Sequence, residues 1–473
     1  MKVVGHVVRW SAVVLLVATS PAVVAQDLDA ATRAKVESEI RRVMQETGVP
    51  SAQVGVARAG KVVYAAAFGD ARIAYEGKPA IPATAEMHYA VGSISKQFTA
   101  ACVLLLQEQG KLKLDDPVGK WFPELTRAND VTLRMLLTHT SGYSDYAPQD
   151  YTIPEWTHAA NPLDTVRKWA GKPLDFEPGT KWQYSNTNFV LAGLIVEKVA
   201  GMPFRDFLRQ NVLTPLKLQE VLDLDYDRAR MEPTGYKRNA LGPLRPAPPE
   251  APGWYFADAE LAMPVRTLME WNLSLLNRSL LKPSSYDEMF AEQKLKDGSG
   301  SHYALGLQTE TRNGRLVLHH SGEIGGFVAQ NVWYPKEGVA IGVLTNQEAS
   351  SAAGLIATAV SSILLPPTGS TAATVSDPKA TVRGILEAFQ KGDIDRTLFT
   401  SNANFYFSPQ AVGDYRTSLA PLGAIQSLTE TRTLLRGGMQ MRIYTVAYAT
   451  KSVNVSTYWM PDGRIEQFLV EGQ

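Results

Sequence analysis

The chain has 473 residues, 45% of them hydrophobic and 20% charged, which is enough length and apolar content for more than one packed domain. Lys plus Arg and Asp plus Glu number 47 each, so no global field draws the chain to nucleic acid or to an anionic membrane. The one cysteine, Cys102, excludes an internal disulfide, and its apolar neighbours predict a buried small hydrophobe rather than a catalytic thiol.

At the start of the chain Lys2, His6 and Arg9 precede an apolar run over residues 13–18, and Val23-Val24-Ala25 precede Gln26. This layout predicts a signal peptide over residues 1–25 and a periplasmic or secreted mature chain. No later stretch reaches about 18 uninterrupted apolar residues, so no stable membrane span is expected. The spacing of Leu28, Ala31, Val36, Ile40, Val43 and Met44 predicts a helix over 28–47, stopped by Gly48-Val49-Pro50. Residues 52–59 and 61–69 read as a hairpin about Gly60. A long helix follows from Ser93 or Ile94 to about Gln109, ended by Gly110.

Helical pieces over 133–137, 163–170, 189–199 and 204–212 make up the middle section. Residues 139–162 read as an exposed loop that offers His139, Tyr143, Tyr146, Tyr151 and Trp156 to a cleft. Proline density over 225–264 argues against regular structure and for a long excursion or lid. Strand-like pieces return at 303–310, 316–320, 327–334 and 339–345, and a helix over 350–365 is expected to pack on the same sheet. The Pro, Gly, Ser and Thr of 366–375 read as a linker between a main domain, 26–365, and a small α+β domain over 376–473. That last unit has a helix over 382–390 and strands at 441–446, 451–460 and 464–470.

Three polar clusters carry chemistry. In Ser93-Ile94-Ser95-Lys96 the residues three apart share a helical face, so the hydroxyl and the amine can meet. A serine hydroxyl needs a base, and burial at a helix start is expected to lower the Lys96 pKa towards neutrality. Tyr184-Ser185-Asn186 adds a phenol that can share a proton with Lys96 and an amide that can pair with a substrate amide. His320-Ser321-Gly322 ends a strand whose edge, continuing through Glu323, can pair with a substrate; a backbone donor from this edge and the Ser93 N–H can hold an oxyanion.

These blocks, with Leu136-Leu137-Thr138-His139-Thr140-Ser141-Gly142 and Phe176-Glu177-Pro178-Gly179, resemble the penicillin-recognising serine hydrolases over roughly residues 35–365. The branch is the one containing class C β-lactamases, D-alanyl-D-alanine carboxypeptidases, D-aminopeptidases and family VIII esterases. The resemblance implies an α+β fold, a β-lactamase/transpeptidase-like antiparallel sheet flanked by helices plus a helical subdomain. It implies Ser93 as nucleophile, Lys96 and Tyr184 as general base and acid, Asn186 on the substrate amide, and the Ser93 and Glu323 N–H groups as oxyanion donors. His320, Ser321 and Gly322 would bind substrate. His320 stands where β-lactamases of this branch have Lys, which favours an ester or a D-amino-acid amide or peptide as substrate over efficient antibiotic hydrolysis. A weak β-lactamase or a non-turning-over penicillin-binding module is the alternative.

Trp254, Tyr255 and Phe256 stand where this branch has a glycine-rich stretch, and they either roof an apolar subsite or pack the lid onto the body. His319 beside His320 does not make a metal site, because alternate strand residues face opposite ways. His139 is expected to order its loop through Thr138 and Ser141. No phosphate loop, dinucleotide fingerprint or metal-ligand spacing is present, so no cofactor is implied. The C-terminal unit loosely resembles the nuclear-transport-factor-2-like superfamily, with Ala388-Phe389-Gln390-Lys391-Gly392-Asp393, and is expected to serve as a scaffold, a homo-oligomer contact or a substrate-shaping element rather than a second active site. The partners expected are thus a small ester or short peptide and a second copy, with no nucleic acid.

Overall fold

The computed structural model describes residues 27–148, 152–237, 243–312, 314–366, 378–400, 403–404, 407, 409–436, 439–460 and 462–472. The signal-peptide segment, Tyr151 and nearly all of the linker therefore lie outside the described residues.

Helix α1 (Ala30–Thr47) starts where the Asp29 side chain accepts from the Thr32 N–H, and it ends at Gly48, whose φ of 70° closes the last turn. Its stripe of Val36, Ile40 and Val43 is buried against the sheet and the last helix of the main body. Strands β1 (Ser51–Arg58) and β2 (Lys61–Arg72) form the expected hairpin, and β2 pairs with the short β3 (Ile81–Pro82). The turn Gly92–Ser95 is a tight 3₁₀ turn that runs into helix α2 (Lys96–Glu108). The latter is apolar almost all round, as suits a helix buried at the centre of the core. Helices α3 (Asn186–Ala200) and α4 (Val265–Leu276) pack nearby, and Phe98 stacks on Trp271 with ring centroids 4.0 Å apart.

Strands β4 (Gln308–Arg312), β5 (Arg315–Ile324), β6 (Phe327–Tyr334) and β7 (Val339–Thr345) complete a seven-stranded antiparallel sheet in the order β3-β2-β1-β7-β6-β5-β4. Helix α5 (Ala352–Leu364) lies with α1 on one face, while α2, α3 and α4 belong to the core on the other. At the centre of the sheet Gly55 pairs with Gly342. A methyl group on either would come within 2.7 Å or 2.5 Å of Met269 of α4, so this glycine pair lets the helix seat on the sheet.

The C-terminal unit has helices α6 (Pro378–Lys391) and α7 (Pro409–Leu419) and a four-stranded antiparallel sheet, β8 (Ile425–Arg436), β9 (Met439–Tyr448), β10 (Ser452–Trp459) and β11 (Ile465–Gly472). Its hydrophobic cluster draws only on residues from Val382 to Phe468 with flanking apolar contacts. The molecule is thus an α+β protein with a smaller sheet-and-helix unit after the main body.

Two expectations need correction. The strand expected over 303–310 is confined to Gln308–Arg312, because residues 301–307 form a turn around Tyr303 and Gly306. The described part of 139–162 is exposed only over stretches such as 157–159, while His139, Tyr143, Tyr146 and Trp156 are buried; of these, Tyr146 and Trp156 line a cleft, as expected, and His139 and Tyr143 do not. Aromatic side chains of that size reward packing more than exposure. Over 225–264 only short pieces of structure appear, including the strand Leu261–Met263 that pairs with Tyr89–Ala90 and with Leu222–Asp223. Residues 238–242 of that excursion lie outside the described residues.

Candidate active site

Gly92 and Gly322 set the geometry. Gly92 has a φ of 53°, and a methyl group there would lie 2.6 Å from the Glu323 nitrogen; one on Gly322 would lie 1.9 Å from the Val91 carbonyl oxygen. The tight turn carrying Ser93 therefore presses against the outer end of β5. A methyl group on Gly322 would also lie 3.1 Å from the Ser93 nitrogen, so the Ser93 and Glu323 amides both border this contact, and both residues line the cleft.

Lys96 begins α2, and its ammonium is wholly buried. It donates to Ser93 Oγ at 3.0 Å, to Asn186 Oδ1 at 2.8 Å and to the Asp258 carbonyl at 3.1 Å. The Asp258 carboxylate lies 3.6 Å from Nζ. The Tyr184 hydroxyl faces both Lys96 and Ser93. Ser93 itself remains partly exposed at the floor of a cavity of about 730 Å3, which Tyr184, Asn186, His320, Ser321, Gly322 and Glu323 also line.

Burial alone would push the Lys96 ammonium down, but Tyr184, Asp258 and Asp145 outweigh it and hold Lys96 above the usual lysine value. The expected depression towards neutrality is therefore not found, because buried carboxylates accompany the buried ammonium. Asp258 is pushed up to about 7, chiefly by burial and further by Asp145, against the pull of Lys96. Burial likewise raises the Tyr184 phenol, with Lys96 and Ser93 opposing it.

Asp258 is held by its neighbours in the chain: Thr99 Oγ1 donates to the Ala257 carbonyl at 2.5 Å, and the Leu261 N–H donates to Ser95 Oγ at 3.2 Å. Asp145 caps α3 from outside the helix. Ser185, the local N-cap, makes no side-chain cap bond, and the Asp145 carboxylate accepts from the Asn186 N–H at 2.8 Å instead. Asn186 is correspondingly committed, with Oδ1 on Lys96 and Nδ2 3.3 Å from Asp145.

A chain of hydrogen bonds fixes the histidines. The Ser185 N–H donates to His139 Nδ1 at 3.2 Å, which leaves the proton of His139 on Nε2, 3.2 Å from the Tyr303 hydroxyl. Tyr303 then donates to His320 Nε2 at 2.7 Å, and His320 Nδ1 donates to the Ser321 carbonyl at 2.5 Å. Burial, with Lys96 next, lowers both rings, His320 to about 3. His320 therefore reaches the cleft neutral and with both nitrogens engaged; it does not offer a charged donor to a substrate carboxylate. His139 orders its loop, but through Ser185 and Tyr303 rather than Thr138 and Ser141.

Of Trp254, Tyr255 and Phe256 only Tyr255 lines the cleft. Trp254 stacks near Tyr146, with Nε1 donating to the His158 carbonyl at 2.8 Å, and Phe256 packs against Phe204. His319 pairs with Glu310 at 3.1 Å, and among the described residues no group of three or more His, Cys, Asp or Glu is placed to hold a metal ion. Among the described residues no single helix is long and apolar enough to cross a membrane. Asp145, Asp258 and Tyr303 are site residues that the sequence motifs did not mark. The only signal for Asp258 was a carboxylate set among aromatic and small apolar residues.

The family model described as Beta-lactamase matches residues 36–363. Penicillin-binding protein 4* of Bacillus subtilis strain 168 is 28% identical over 282 residues, covering 56% of this chain and 61% of that protein. Protein flp of Staphylococcus aureus strain MW2 is 26% identical over 327 residues, covering 66% and 62% respectively. The chain thus spans about three fifths of the length of these curated relatives. Among solved structures, the octameric penicillin-binding protein homologue from Pyrococcus abyssi shares the fold with a TM-score of 0.64 at 22% identity, over 92% of this chain and 94% of that one. A D-stereospecific amidohydrolase from Streptomyces sp. has a TM-score of 0.60 at 27% identity, over 71% and 99%.

Proposed function

This chain belongs to the Beta-lactamase family, and on that premise we propose that it is an exported serine hydrolase forming an acyl-enzyme on Ser93 from a carboxylic ester or a D-amino-acid amide or peptide. The observation that carries this is the Lys96 ammonium 3.0 Å from Ser93 Oγ, with the Tyr184 hydroxyl facing both at the floor of the cleft. Ser93 Oγ attacks the carbonyl carbon as its proton passes to the reactive, deprotonated form of the Lys96–Tyr184 pair, which titrates as one unit. The new oxyanion faces the Ser93 and Glu323 N–H groups. Tyr184 returns the proton to the leaving oxygen or nitrogen as its bond to carbon breaks. Water then repeats the sequence on the acyl-enzyme, releasing the acid and restoring Ser93.

The neutral His320 and the absence of Lys or Arg among the described lining residues support esters and amides over substrates that must anchor a carboxylate, the β-lactams included. Turnover of p-nitrophenyl butyrate, D-phenylalanine p-nitroanilide and benzylpenicillin by the wild type and by Ser93→Ala tests this. Ester or anilide turnover that needs Ser93, with benzylpenicillin slower, is expected. Burst acylation by penicillin without ester or anilide turnover would replace hydrolysis by a receptor role.

For residues 376–473 we keep a scaffold or self-association role. The support for it is that the alignment with the octameric penicillin-binding protein homologue covers 92% of this chain and that this unit has a hydrophobic cluster of its own.

A further inference from the structure

Among the described residues five carboxylates line the cleft: Asp145, Asp258, Glu250, Glu323 and Glu348. Asp145 and Asp258 are accounted for by α3 and Lys96. The three glutamates gather at the other end, past Ser93 along β5. Gly322 lies against Ser93, His320 precedes it by two residues, and Glu323 to Gly325 follow it. At about 3.3 Å per residue, the two ends stand more than about 10 Å apart.

Glu250 is 4% exposed. One of its oxygens accepts from Thr152 Oγ1 at 3.0 Å, while Oε2 has no hydrogen-bond partner among the described residues. That oxygen borders the cleft beside Gly325, where an added methyl group would sit 2.8 Å from it. A buried acceptor without a donor is costly unless a ligand supplies one. Burial, then Glu323 and Glu250, push Glu348 up to about 7, with Lys237 and the Gly326 N–H opposing. The described residues form no metal-holding cluster here, so this spacing suits an organic cation that brings its own N–H donors. Tyr184, which hands the proton to the leaving group, packs 6.1 Å from His320. The leaving group therefore departs towards His320, and the acyl part extends towards the glutamates.

We propose that the Glu250, Glu323 and Glu348 end of the cleft binds an ammonium or guanidinium group on the acyl part of the substrate. This rests on the hydrolase reading above, and the test separates the two. The probes are p-nitrophenyl 6-aminohexanoate and p-nitrophenyl heptanoate, alike in length and differing in the terminal ammonium. The wild type is expected to favour the amino ester in kcat/KM by about tenfold or more, and the preference, a ratio taken within each protein, should collapse in the double variant Glu250→Gln, Glu348→Gln and weaken with salt. No preference in the wild type, or one that survives the double variant, would overturn the cation subsite. Should neither ester give Ser93-dependent turnover, the hydrolase reading fails on its own. The subsite is then read by calorimetric titration of Ser93→Ala with 6-aminohexanamide and heptanamide: tighter binding of the amino compound upholds it and equal affinity overturns it.

Discussion

Lys96 is buried with its charge, and what surrounds it decides how the site works. With Asp258 and Asp145 beside it, the resting site holds an ammonium rather than a free amine, and the proposed reaction draws on the form in which the Lys96–Tyr184 pair has lost a proton. Lys96→Ala should lower kcat by about a thousandfold while the fold persists, as steady-state kinetics with circular dichroism will show. Asp258→Asn removes a charge that raises the Lys96 proton affinity. The acid limb of the kcat/KM profile should therefore move to lower pH by about one unit or more; an unmoved limb would show that Asp258 does not act through Lys96. Ser93 and Lys96 were legible in the sequence because three residues of tight turn join them. Asp258 was not, since it meets Lys96 across 162 residues of chain, and no local pattern encodes so distant a contact. The proton affinity of Lys96 was misjudged for the same reason: burial can be inferred from apolar neighbours, but the carboxylates that oppose it come from elsewhere.

At the scale of elements, the contact between the Ser93 turn and β5 matters most. The strand-like run in the sequence stops at His320, because Ser321, Gly322 and Glu323 have little strand preference of their own, and only its edge is expected to continue through Glu323. Pairing carries the strand on to Ile324, with Gly322 opposite Ala329 of β6. Strand continuation of this kind follows from tertiary register, whereas α1, the β1–β2 hairpin and α5 were readable from their own periodicity and caps. Gly92→Ala would drive a methyl group into the Glu323 amide and separate the two proposed oxyanion donors. Its kcat should fall by about a hundredfold or more with little change in circular dichroism; full activity would place the oxyanion elsewhere.

The whole molecule has separable cores: two pack on the faces of the large sheet, and the third draws on the C-terminal residues alone. A chain ending at Pro366 should therefore keep its ester turnover per active site, while light scattering should show a smaller assembly than the full chain forms. Stability should also depend on pH through Asp258. Its folded value near 7 lies above the unfolded value near 4, so the folded chain keeps a proton that the unfolded chain releases. This contribution is complete at acid pH and is lost as pH rises from about 4 to about 7, on the order of a few kcal/mol. The melting temperature of Asp258→Asn relative to the wild type should accordingly climb across that window.

Whether Ser93 is the nucleophile is read by intact-mass spectrometry after brief exposure to a fluorophosphonate. The wild type should gain the mass of one phosphonyl group and lose ester turnover in step, and Ser93→Ala should gain none. Equal labelling of the folded Ser93→Ala chain would place the nucleophile at another residue.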